Sequence, residues 1–127
     1  MDKNEYISEN FQYKEFFCYG IEPPQIYFDN IFKLAHCLQK VRDAVNRPII
    51  INSGWRTKEH NAAVGGASSS QHLIGKAADI RIKGLSVKFA NIYLAKYGNF
   101  NGFGIAGSYT HVDIRDVVNN RIVVWTY

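Results

Sequence analysis

Ser70-Gln71-His72-Leu73-Ile74-Gly75-Lys76-Ala77-Ala78-Asp79 joins a loop to a strand and sets an imidazole and a carboxylate seven positions apart. The residues before it, Val64-Gly65-Gly66-Ala67-Ser68-Ser69-Ser70, are small and polar, the composition of a loop. Ala77 to Ile82 alternates around Asp79, as a half-buried strand does. Gly75 lets the backbone turn between the two parts. A loop thus delivers an imidazole and the following strand a carboxylate, while Ala77 and Ala78 leave room beside them.

Moving upstream, Pro48-Ile49-Ile50-Ile51-Asn52 is a short β-branched run and reads as a buried strand. Thr57 to Ala63 reads as a short helix. Phe28, Ile31, Phe32, Ala35, Leu38, Val41 and Val45 recur at helical spacing, which predicts an amphipathic helix over Phe28 to Val45. Pro23 and Pro24 precede it, where a missing N–H does least harm, and Asn46 and Pro48 end it. Downstream, Ser86 is a suitable N-cap for a second helix whose apolar face is Val87, Ala90, Leu94 and Tyr97, stopped by Gly98. Three strands are predicted in the tail: Gly102 to Ile105, Thr110 to Arg115 and Arg121 to Trp125. Asn119-Asn120 suits a turn joining the last two. Helices and mostly antiparallel strands in this order predict an α+β domain, a sheet flanked by helices, covering 1–127 as one unit.

Composition narrows the function. The chain has 127 residues, 46% of them apolar, enough to build a core without a disulfide staple. The formal charge is +4, and the basic residues are scattered from Lys3 to Arg121 with no stripe for nucleic acid. The same mild excess suits an anionic cell-wall surface. Cys18 and Cys37 form no CxxC pair, so a Cys-rich structural zinc site is not expected; whether they are thiols or a disulfide stays open. No stretch approaches a membrane span, and the polar N-terminus has no apolar leader segment, so synthesis in the cytoplasm without a signal peptide is expected.

Of the four histidines, His36 and His60 read as ordinary helix residues. His111 lies in Thr110-His111-Val112-Asp113, where alternation puts His111 and Asp113 on one sheet face. Two imidazoles and a carboxylate from His72, Asp79 and His111 form a catalytic zinc set with one position left for water. The same residue types hold Fe(II) in oxygenases, so the ligands alone do not fix the metal.

Three segments resemble the zinc D-Ala-D-Ala carboxypeptidase family, peptidase family M15, which also includes phage endolysins that cleave L-alanyl-D-glutamate bonds. Ser53-Gly54-Trp55-Arg56-Thr57 and Asn61 look like the family's SGYRS-x-x-x-N segment. Ser70 to Asp79 matches its S-x-H-x-x-G-x-A-x-D signature at every fixed position. His111-Val112-Asp113-Ile114-Arg115 is similar to its H-V-D-x-R ending. Asn10 to Phe16 looks like the lead-in of its small stand-alone members. The resemblance implies a hedgehog/DD-peptidase-like fold, Zn2+ on His72, Asp79 and His111, and Arg56 contacting substrate and steadying the oxyanion. It implies a peptidoglycan peptide as substrate and action on the cell wall, after phage or prophage release or equally as a bacterial housekeeping enzyme; a monomer that neither binds nucleic acid nor inserts into membranes is expected.

In one respect the chain departs from the pattern. Several members carry an acid three residues before the last zinc ligand, as general base; here that position is Ser108. Asp113 is the leading replacement, with a role in orienting a ligand as the alternative and Glu59 or His60 as outside candidates. Ser70 and Gln71 are expected to bind substrate, or else to stabilise the loop. Trp55 lines the cleft or packs in the core, Arg115 pairs with a local carboxylate, and Tyr109 is expected on the strand face opposite His111, in the core. A zinc domain without activity, binding peptidoglycan or a protein partner, is the competing reading.

Overall fold

The computed structural model describes residues 1–127. Helix α1 (Phe28–Val45) has the bounds its periodicity predicts. It buries Ile31, Leu34, Ala35, Leu38 and Val41 along one stripe, and Asn46 closes it in the left-handed conformation at φ 51°. Strand β1 (Ile49–Ser53) follows, then helix α2 (Lys58–Ala63), whose cap Thr57 accepts the His60 N–H. A 3-10 turn, Gln71–Ile74, leads through Gly75 at φ 76° into strand β2 (Ala77–Ile82). Gly75 is required there twice over, since a Cβ would also meet the Ile31 side chain. Helix α3 (Val87–Tyr97) starts at Ser86, whose hydroxyl accepts the Phe89 N–H. Strands β3 (Gly102–Ile105), β4 (Thr110–Asp113) and β5 (Val123–Thr126) complete the chain.

The five strands form one sheet in the order β1-β2-β4-β3-β5. The first three pairings are antiparallel and β3–β5 is parallel, so the sheet is mixed. One face carries Ala78, Ile80, Ile82, Val112 and Phe103 into a core of 18 buried residues shared with Ile31, Leu34, Leu38 and Val41 of α1 and Ala90 and Leu94 of α3. Of the apolar face expected for α3, Tyr97 is exposed, and Tyr93 packs on the core instead. No helix is long and apolar enough to cross a membrane. Both cysteines are free thiols.

The opposite face carries the polar residues, and the register lines them up. Ser53, Asp79, His111, Gly104 and Trp125 pair in sequence across all five strands. Ser53 enters this row through an irregularity between Ile51 and Ser53, where β1 takes an extra residue against β2. Ala77, Asp113, Gly102 and Val123 form the row beside it.

The tail differs from expectation in one respect. Asn119 and Asn120 do make a tight turn, both at positive φ, bridged by Val118 and Arg121. Yet β5 does not pair with β4. Both edges of β4 are already taken, by β2 and β3, so β5 continues to the open edge of β3 and lies parallel to it.

Candidate metal centre

His72 sits on the 3-10 turn, with the Ser70 hydroxyl accepting its backbone N–H at 3.2 Å. Asp79 lies on β2 and His111 opposite it on β4. His72 Nε2 and Asp79 Oδ1 are 3.2 Å apart, His111 Nδ1 and Asp79 Oδ1 3.3 Å, and the two ring nitrogens 3.2 Å. All three side chains are buried.

The outer atoms of each of these side chains are engaged. His72 Nδ1 donates to the Gly54 carbonyl at 2.7 Å. His111 Nε2 donates to Asp113 Oδ2 at 2.7 Å. Those bonds fix each tautomer so that both inward-facing nitrogens carry lone pairs. The second oxygen of Asp79 accepts from the Arg56 guanidinium at 2.8 Å. Two lone pairs and a carboxylate oxygen therefore converge with no donor of their own among them, an arrangement that calls for a positive charge at its centre. Tetrahedral zinc with ligands at about 2.0 Å spaces those ligands about 3.3 Å apart, so the observed triangle fits Zn2+. Burial works against the Asp79 carboxylate, but the His111 and His72 imidazoles that face it outweigh this and hold the group well below the usual carboxylate range. Burial disfavours a charged His111, yet Asp113 and Asp79 push its pKa up.

Asp113 is fully buried and lies on the side of the His111 ring away from the three converging atoms. Arg115 grips it twice, Nε to Oδ1 at 2.8 Å and a terminal nitrogen to Oδ2 at 2.7 Å. Burial raises its pKa, but the bonds from Arg115 and His111 bring it down to about 2. The Arg115 guanidinium stacks on Trp125, whose indole lies 5.0 Å from the His111 ring. Gly102 and Gly104 make this possible. A Cβ at Gly102 would collide with the Asp113 carboxylate, and one at Gly104 with the Trp125 indole. A Gly-x-Gly alternation on a strand is the one local signal in the sequence that bulky groups approach there.

Arg56 is held by Ser53 Oγ at 3.0 Å, Asn61 Oδ1 at 3.3 Å and Asp79. Together with Ser70, Gln71, His72 and His111 it lines a cleft of about 530 Å³. Trp55 is buried and donates to the Leu73 carbonyl. Ser108 is exposed in a different cavity, and His60 lies apart, against Tyr19. Tyr109 contradicts its expected core position. Standing two residues before His111, it shares that residue's parity, and it lines the cleft beside Tyr127. Trp125 and Tyr127 also line the cleft, brought there by the parallel β5 pairing, which nothing local in the sequence announces.

Comparison with known proteins adds the relationship. The chain is similar to the zinc D-Ala-D-Ala carboxypeptidase of Streptomyces albus G, 48% identical over 44 residues. That match covers 34% of this chain and 17% of the Streptomyces protein, so only a small part of the relative is represented. A sequence model of the family described as peptidase M15 matches residues 9–113, from the lead-in through the last residue of β4. With most of its length matched, and the signature histidines and aspartate meeting at one point, the chain belongs to the peptidase M15 family.

Proposed function

We propose that the chain is a zinc metallopeptidase acting on the stem peptides of bacterial peptidoglycan. The observation that carries this reading is the convergence of His72 Nε2, Asp79 Oδ1 and His111 Nδ1, each side chain fixed from behind, beside a cleft that His72 and His111 line. Zinc bound by His72, Asp79 and His111 supplies a Lewis acid for the scissile carbonyl and a water of lowered pKa.

The remaining roles belong to this chain's side chains. Arg56 orients Asp79 and, with the N–H groups left over from Ser53, Asn61 and Asp79, presents positive charge to a substrate carboxylate or a developing oxyanion. Ser70 and Gln71, on the cleft wall, contact the peptide. Asp113 serves as a positioning residue that holds the His111 tautomer, since its carboxylate is buried behind the ring and gripped by Arg115. One proton of the attacking water reaches the departing amine by way of solvent.

The test is digestion of purified muropeptides by the zinc-loaded protein, read by mass spectrometry. New peptide fragments carrying free amino groups are expected, and none with His72→Ala or Asp79→Ala. The fragments also tell whether a terminal residue or an internal bond is cut. A second reading, a zinc domain that binds peptidoglycan without cutting it, draws on the absence of a carboxylate at position 108. Wild-type protein that binds muropeptides and leaves them intact across a pH series would establish it in place of the first.

A further inference from the structure

The charged groups in and behind the wall of the cleft are already engaged. Asp79 is committed to the converging cluster, Asp113 is sealed behind His111, and three bonds hold the Arg56 guanidinium. Arg115 is tied to Asp113 and stacked on Trp125. Tyr109 stands apart from these. It is half-buried on the same wall as His72, His111 and Arg56, and its position is fixed by the β3–β4 hairpin. There the Ala106 N–H bonds the Tyr109 carbonyl at 3.2 Å, and the next residue pairs with Ile105. Its ring leans on Tyr127, with centroids 5.9 Å apart, which limits where the hydroxyl can swing.

We propose that Tyr109 is a further catalytic residue, whose hydroxyl donates a hydrogen bond to the scissile carbonyl oxygen as negative charge develops on it. The inference rests on the peptidase reading above. A tyrosine phenol ordinarily keeps its proton at neutral pH, so Tyr109 acts by donating, without proton transfer. The overall hydrolysis needs no further reactant. Water oxygen bonds to the carbonyl carbon, the C–N bond breaks, and one water proton ends on the departing amine. Tyr109 returns to its starting state each cycle. A donor aimed at the transition state, and not at the ground state, changes kcat and leaves substrate binding alone.

The experiment compares wild type with Tyr109→Phe, which removes one oxygen and keeps the ring packed against Tyr127. Zinc content, thermal melting, kcat and KM on muropeptides, and affinity for a phosphinate peptide that mimics the tetrahedral carbon are measured. Loss of an oxyanion donor lowers kcat by about 100-fold. Phosphinate affinity falls in parallel, while KM, zinc content and melting temperature hold. If wild type cleaves and Tyr109→Phe keeps its kcat and phosphinate affinity, Tyr109 has no such role although the peptidase reading stands. A matching rise in KM with kcat unchanged also overturns it, because the hydroxyl then binds substrate and transition state alike. Wild type without any cleavage overturns the peptidase reading and this inference together.

Discussion

Asp113 and Arg115 decide how His111 presents its Nδ1 atom. The Asp113 carboxylate accepts the Nε2–H and is itself held in place by two bonds from Arg115. Replacing Asp113 with Asn loosens the Arg115 grip and weakens the hydrogen bond that fixes the imidazole. Zinc affinity is expected to fall about 10- to 100-fold, the usual effect of losing a carboxylate behind a ligating histidine. Competition with a chromophoric chelator measures it. A variant with full zinc affinity and lost turnover would instead make Asp113 the proton acceptor.

At the scale of elements, strand β3 is shaped by what it must leave room for. Gly102 faces the Asp113 carboxylate, and Gly104 faces Trp125. Gly102→Ala forces a methyl into a position already filled. Overpacking of this kind costs about 1–3 kcal/mol, read from denaturant unfolding. The displaced carboxylate should also lower zinc affinity, which separates this mutation from an ordinary strand substitution.

Element boundaries were legible wherever local preference set them. The α1 periodicity, the Asn46 stop, the Ser86 cap and the bounds of β2 all appear as the sequence predicts, although β2 is buried on both faces rather than alternating. The nearness of His72 and Asp79 was legible because both lie within one loop-and-strand segment. The Asn119-Asn120 turn was legible too, but the partner of β5 was not. Local backbone preference makes the turn, whereas the pairing depends on which sheet edge is still open after β2, β4 and β3 have assembled. For the same reason Trp125 and Tyr127 could not be assigned to the cleft in advance, nor could Ser53, which reaches Arg56 through a strand irregularity.

On the scale of the whole molecule, the core and the metal centre occupy opposite faces of one sheet. The 18-residue core joins α1, α3 and the inner face without using any proposed ligand. The fold should therefore survive loss of the ion, unlike small domains that fold only around zinc. Treatment with a chelator is expected to lower the melting temperature, since zinc binds only the native arrangement, while far-ultraviolet circular dichroism at room temperature stays unchanged. Collapse of that spectrum on chelation would mean that the outer face, and not the apolar core, holds the sheet together.

The most direct measurement is an anomalous-difference map from crystals of the zinc-loaded protein, collected at the zinc edge. One peak is expected within about 2.0–2.2 Å of His72 Nε2, Asp79 Oδ1 and His111 Nδ1, with its fourth side open to the cleft. No peak there, or zinc held by a different set of side chains, would contradict the assignment of these three residues.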